Sequence, residues 1–292
     1  MKPTPLFLSA LCLSLMAACA SSETGKPKTS RPSLAEKTAE HGDESLQKGA
    51  VQDAKYRYGV SLRLLQKTDD LKGMATVYLK LSRLSLLEGD VAEARRYLDN
   101  ALTIIQKEGY EYMGATAALA EAPVLLAEQK ADEAVTVLRA AMQKCAPDDK
   151  RKLANALGMA LLKRLDADGA KAGFEQALSA AAAAKDAATE SSARVNIAQL
   201  LMKNGDSDGA LVHLHRALEL DKQAAATITI GETLRLVGMA YEAKGDLRNA
   251  VYFYRRALQV NRQTDLALKV EADKSAVARV EALIKSSTIP AK

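Results

Sequence analysis

Six segments of this 292-residue chain repeat one another without internal gaps, and no other feature restricts the fold so sharply. They read KGAVQDAKYRYGVSL, EGDVAEARRYLDNAL, EQKADEAVTVLRAAM, RLDADGAKAGFEQAL, NGDSDGALVHLHRAL and KGDLRNAVYFYRRAL. A shared alanine falls at Ala54, Ala94, Ala134, Ala170, Ala210 and Ala250, at separations of 40, 40, 36, 40 and 40. Four positions later stands a large apolar residue (Tyr58, Leu98, Leu138, Phe174, Leu214, Tyr254), and three further on a small one (Ser61, Ala101, Ala141, Ala177, Ala217, Ala257). Offsets of four and seven share one stripe of a helix, so each segment predicts an amphipathic helix with a small, large, small packing face. A second helical pattern precedes each, joined by a short turn that carries glycine at Gly49, Gly89, Gly205 and Gly245. The unit is a helical hairpin. One hairpin cannot hide its own apolar side, so the units must stack.

The first helix of the sixth unit, LRLVGMAYEAKGD, places Val237, Gly238 and Tyr241 on one face, and the fourth, LANALGMALLKRL, places Leu157, Gly158 and Leu161 there. These residues resemble the tetratricopeptide repeat, which has small residues where its two helices cross and large ones between them. The resemblance covers about residues 35–265. It is strongest in units four to six and thinnest in the first, which keeps Gly42, Ala54 and Tyr58, while Pro123 predicts a kink in the third. It implies an all-α fold: a right-handed superhelical solenoid of six such hairpins over residues 34–265, with a capping helix at 266–285 and a disordered tail at 286–292. The family period is 34, and the extra residues are expected to lengthen helices, since stretches such as LSAAAAAKDAA favour them.

The front of the chain follows other rules. After Lys2, residues 6–18 form an uncharged run of thirteen, too short to span a bilayer core of roughly 30 Å but right for a signal-peptide core. The run ends at Met16-Ala17-Ala18-Cys19, which resembles a bacterial lipobox although Met16 stands where leucine is commoner. That resemblance implies a signal peptide over 1–18, cleaved before a lipidated Cys19. An ordinary signal peptide with Cys19 incidental, or an uncleaved anchor, is the alternative. Residues 19–33, rich in Ser, Thr, Lys and Pro, read as a flexible tether. The Ser33-Leu34-Ala35-Glu36 capping box then opens the first helix. Ala20 stands where an inner-membrane retention signal shows Asp, so the resemblance implies lipid anchoring in the outer membrane of a Gram-negative bacterium, facing the periplasm. Cys145 is then left without a disulfide partner and is expected as a small packed residue.

Chemistry finds little purchase. Gly205-Asp206-Ser207-Asp208-Gly209 spells a nucleophile elbow, but a strand must feed one and both flanks here are helical. Asn204, Asp206 and Asp208, with Asp166 and Asp168, echo half a calcium loop, yet the twelfth position from Asn204 is His215 rather than a bidentate Glu. Helix capping explains these Asp residues better. His213 and His215 diverge on a helix and cannot share a metal; both are expected at solvent or in a groove. A net charge of +5 without a basic tract excludes a nucleic-acid footprint. No enzyme, metal site, cofactor or small-molecule substrate is expected.

Function then falls to the surface. By the resemblance, first helices line a concave face that includes Leu79, Arg83, Asn155, Met159, Asn196, Gln199, Arg235 and Met239. Glu232 and Leu236 replace the cations of the family's carboxylate clamp, which removes that class of partner. The expectation is a tethered interaction scaffold whose partners are other proteins and whose membrane contact is the lipid anchor. It would assist a pilus secretin, the outer-membrane barrel machinery or cell-wall hydrolases. The rival expectation is a self-associating structural or envelope-stress lipoprotein, with an enzyme third.

Overall fold

A computed structural model describes residues 32–287, in which thirteen α-helices and one short 3₁₀ turn occur and no strand. The expected signal peptide, Cys19, Ala20 and nearly all of the tether lie outside the described residues, as do residues 288–292. The helices are α1 (Leu34–Gln47), α2 (Val51–Lys67), α3 (Leu71–Glu88), α4 (Val91–Lys107), α5 (Gly114–Ala127), α6 (Ala131–Lys144), α7 (Pro147–Lys163), α8 (Ala167–Ala184), α9 (Ala187–Lys203), α10 (Ser207–Gln223), α11 (Thr227–Ala243), α12 (Leu247–Asn261) and α13 (Ala267–Ser287). They pair as six hairpins, and α13 packs on α12 as the expected cap. The extra residues of the long period do lengthen the helices. Ser286 and Ser287, expected in the tail, belong to α13, and α5 continues through Pro123 to Ala127.

Each hairpin closes on a pair of residues sixteen apart, and their sizes compensate. Where the second helix presents an aromatic ring, the first presents glycine: Gly42 against Tyr58, Gly158 against Phe174, Gly238 against Tyr254. A Cβ on those glycines would sit 2.6, 2.6 and 2.8 Å from ring carbons. Where the second helix presents Leu98, Leu138 or Leu214, the first has room for Ser82, Ala122 or Ala198, all buried. Fully burying one such large side chain contributes about 1.5–3 kcal/mol, so these pairs anchor the stack.

Turns and caps follow the sequence closely. Gly49, Gly89, Gly205 and Gly245 take left-handed φ values of 78° to 85° between the helices of their hairpins. Asp70, Asp90, Asp166, Asp186, Asp206 and Asp246 each accept a hydrogen bond from the backbone N–H three residues on, so the suspected calcium and nucleophile turns are helix caps. The third hairpin departs. Pro147 holds Ala146 extended at ψ 154°, and α6 therefore stops at Lys144 after 14 residues where its counterparts run 15 to 18. This is the physical origin of the one short period.

Neighbouring first helices touch, α3 with α5, α5 with α7, α7 with α9 and α9 with α11, whereas successive second helices make no comparable contact. The stack therefore curves with first helices inside. It curves far enough to meet itself. Gln47 Nε2 donates to the Ala224 carbonyl at 2.6 Å, and Ile228 and Leu266 share a core cluster with Val51 and Ala54. The α2 N-terminus begins after Ala50, which has no capping side chain, and Asp265 supplies the oxygen instead by accepting from Gln52 N–H at 3.1 Å. One end thus caps a helix of the other.

Candidate binding groove

Four of the eight expected lining residues meet on the inner face. Asn155 on α7, Asn196 and Gln199 on α9 and Arg235 on α11 border one cavity of about 440 Å³. Helical spacing explains the meeting, because Asn155 and Arg235 hold the same position of their units, 80 residues apart. Asn196 Nδ2 donates to Asn155 Oδ1 at 2.9 Å, which fixes both amides and leaves the Asn155 amino group and the Asn196 carbonyl oxygen without a hydrogen bond among the described residues. Amides fixed in this way, one buried and one half-buried, can pair with the backbone of an extended segment.

The floor of the cavity is polar too. Asp221, 5% exposed, accepts from Ser191 Oγ at 2.6 Å and from Thr233 Oγ1 at 3.0 Å. Burial raises its carboxyl above the ordinary Asp value, against the pull of those hydroxyls. Sequence reasoning missed Asp221, although it is the one acid at a position where the front units carry Leu65 and Ile105.

Arg235 also borders a second cavity, of about 520 Å³, between α11 and α13, together with Met239, Tyr254 and Arg279. Its Nε makes a long ion pair with Asp273 Oδ1 at 4.0 Å, without a hydrogen bond. Across this cavity Glu242 accepts from the Tyr254 hydroxyl at 2.7 Å and from Arg279 at 2.8 Å. Met239 is 41% exposed and offers an adaptable apolar contact.

The other expected lining residues divide. Arg83 is exposed on α3, away from these cavities, and Met159 is half-buried against the core of α5 to α8. Leu79 is a correction. It is 4% exposed and packs with Ala75, Leu98 and Val124, because α4 and α5 both cover that side of α3. Cys145 packs, as expected, against the core of α5 to α8, but it is only half-buried, because its other side borders a cavity left by the short α6. Of the two histidines, His215 is exposed and packs edge-on to Phe253. His213 is half-buried with an unpartnered Nδ1, and burial lowers its pKa, with Arg194 adding to the effect.

Among the described residues, no three His, Cys, Asp or Glu side chains stand together as a metal site. No helix there is long and apolar enough to cross a membrane.

The tetratricopeptide-repeat profile matches residues 187–263, which span α9 to α12 and both hairpins that build the groove's far wall. The fold is a tetratricopeptide-repeat solenoid. Solved structures agree over most of the chain. A signal-transduction ATPase with a tetratricopeptide-repeat sensor from Pyrococcus horikoshii matches at 15% identity, over 85% of this chain and 39% of its own, with a TM-score of 0.53. The chain thus spans about two fifths of that protein. The apo form of RapI matches at 11% identity, over 86% of this chain and 99% of its own, with a TM-score of 0.52. PilW, a type IV pilus biogenesis factor, matches at 13% identity, over 83% and 99%, with a TM-score of 0.51. No curated protein sequence is significantly similar to this chain. As a tetratricopeptide-repeat solenoid, the molecule has the architecture of a protein-binding scaffold.

Proposed function

We propose that this solenoid is a membrane-tethered scaffold that holds a segment of another protein along its inner face and assists assembly or localisation of an envelope complex. The observation that carries the reading is the cavity between α7, α9 and α11, where fixed amides at Asn155 and Asn196, Gln199 and the Arg235 guanidinium converge. A backbone hydrogen bond to such a group is worth about 0.5–1.5 kcal/mol net, so several are needed, and several are present. Met239 next door adds apolar contact without demanding one shape.

The tether is Cys19, lipidated after removal of residues 1–18, at the periplasmic side of the outer membrane. The lipobox-like Met16-Ala17-Ala18-Cys19 supports this reading, and so does the polar stretch that follows. Anchoring fits a scaffold, since a tethered binder gains effective concentration for partners in the same membrane. Candidate partners are a pilus secretin, the barrel machinery and cell-wall hydrolases. PilW shares the fold and is a pilus biogenesis factor, which makes the secretin the first to test.

A photo-crosslinker placed in cells at Gln199 or Met239 should trap an envelope protein, whereas one at Lys171, exposed on the outer helix α8, should not. Recovery of self-adducts alone would support the self-associating alternative. Cys19→Ala should release the solenoid from the membrane fraction. Unchanged membrane recovery without a fatty-acid label would remove the anchor.

A further inference from the structure

The third hairpin breaks the register of the others at two positions, and both lie on one cavity. Glu121 occupies the place of Leu81, Leu157, Ile197, Val237 and Val277; only His41, at the open front end, is also polar there. Lys144 occupies the place of Leu64, Ile104, Ala180, Leu220 and Val260. Because α6 ends a turn early, the space between α5, α6 and the start of α7 is not filled, and a cavity of about 660 Å³ remains. That is within the roughly 300–1,000 Å³ range of ligand sites. Its walls are the small side chains of Ala118, Ala140 and Ala141.

Glu121 sits half-buried in this wall, and among the described residues no hydrogen bond or ion pair engages its carboxylate. Burial raises its pKa. Arg95 opposes the rise from a distance, but that guanidinium is committed to Glu128 through bonds of 2.7 and 2.8 Å. Glu111 and Asp149 add negative charge to the lining, against Lys144 alone. Tyr112, 65% exposed, stands at the edge with the Lys72 ammonium 5.4 Å from its ring centre, so the ring already receives one cation and can offer its other face to a planar one. An unpaired acid in an apolar bowl costs stability unless something cationic meets it.

We propose that this cavity receives an arginine side chain of a partner polypeptide, its aliphatic stem against the alanines and its guanidinium on Glu121. The site lies off the inner groove, so its failure and that of the groove reading are separately visible. The occupant is an arginine because the lining is apolar along its depth, carries net negative charge and ends in an exposed aromatic ring, which suits a long stem with a flat, delocalised head.

Cys145 on the same wall reports occupancy. In the full-length chain, n-butylguanidinium at millimolar concentration should slow alkylation of Cys145 by iodoacetamide, followed at that residue by mass spectrometry, while pentanoate should not. Glu121→Gln keeps the shape and should weaken this protection about tenfold, the loss of one charge-assisted contact. Glu121→Leu restores the register of the other hairpins, and should abolish protection while raising the thermal midpoint. In cells, a photo-crosslinker at Tyr112 should give an adduct with an arginine-containing segment, and Glu121→Gln should reduce its yield. Equal protection by pentanoate, protection unchanged in Glu121→Gln, an adduct yield indifferent to Glu121, or no protection at all would each overturn the proposal. A fall in thermal midpoint for Glu121→Leu would overturn it as well, by giving the acid a structural role.

Discussion

Two consecutive junctions of the stack occupy the same three positions and answer them differently. At the junction of α9, α10 and α11 these are Ser191, Asp221 and Thr233; forty residues on, where α11, α12 and α13 meet, they are Gly231, Asn261 and Asp273. In the earlier junction the buried carboxylate is satisfied, because a hydroxyl from each flanking helix donates to one of its oxygens. In the later one Asn261 Nδ2 donates to Asp273 Oδ2 at 2.6 Å, but Asn261 Oδ1 and Asp273 Oδ1 are buried without a hydrogen-bond partner, and Asp273 Oδ1 has Arg235 Nε no nearer than 4.0 Å. Gly231 has no hydroxyl to offer. It also has no Cβ, which would collide with Asn261 Oδ1. The front junctions avoid the problem with apolar residues such as Ala75, Ile105 and Ala117. A polar residue at such a position is tolerated in proportion to the donors around it, since an unmet buried acceptor costs about 1–3 kcal/mol.

The sharpest way to break this comparison is to put the same side chain at the first position of both junctions. Gly231→Ala should destabilise the solenoid by about 2–3 kcal/mol, because Asn261 must leave its bond to Asp273 to make room. Urea unfolding measures the loss, and amide exchange should localise it to α11, α12 and α13. Ser191→Ala removes only one donor from Asp221, which keeps Thr233, and should cost about 1 kcal/mol. Equal costs for the two variants would mean that the junctions do not differ as the hydrogen bonds say.

Much of this architecture was legible in the sequence, and the reasons are particular. Close packing demands a small residue where helices cross, so Ala54, Ala94 and their counterparts announced the hairpins. The compensation between Gly158 and Phe174, or Ala198 and Leu214, was equally readable as a spacing of sixteen. What hid was tilt and truncation. Leu79 and Arg83 share a helix, yet which of them faces the groove depends on how far α5 leans over α3, which no periodicity encodes. The cavity beside Cys145 did have a signal, the single separation of 36 together with Pro147. Asn155, Asn196, Gln199 and Arg235 came together because a regular stack carries residues at related positions to the same face. Asp221 and Asp273 were missed because acids near helix ends usually belong to solvent.

The smallest expected effect is a difference in pH dependence, and it follows from the missing donor. Burial raises both Asp221 and Asp273 above the ordinary Asp value of 3.8, with Arg235 and Lys269 pulling against it at Asp273. Lys269 is itself paired with Glu232 on α11. A group whose pKa is raised on folding lends stability that is fully present below its unfolded value and fades as pH climbs through its folded one. The acids that tie hairpins together run the other way. Arg95 holds Glu128 down to about 2, and against the upward push of burial Arg151 and Thr189 bring Asp186 to about 2, so their contribution is lost only as pH falls toward that value. A proton on Asp273 supplies its junction with the donor that Gly231 lacks. Asp273→Thr, which copies the sister residue Thr233, should therefore flatten the decline of the melting temperature as pH climbs above the ordinary Asp value of 3.8. Parallel melting curves for the variant and the wild type would leave the oxygens of Asn261 and Asp273 that lack a hydrogen bond without a thermodynamic consequence, and the contrast between the junctions would then be one of geometry alone.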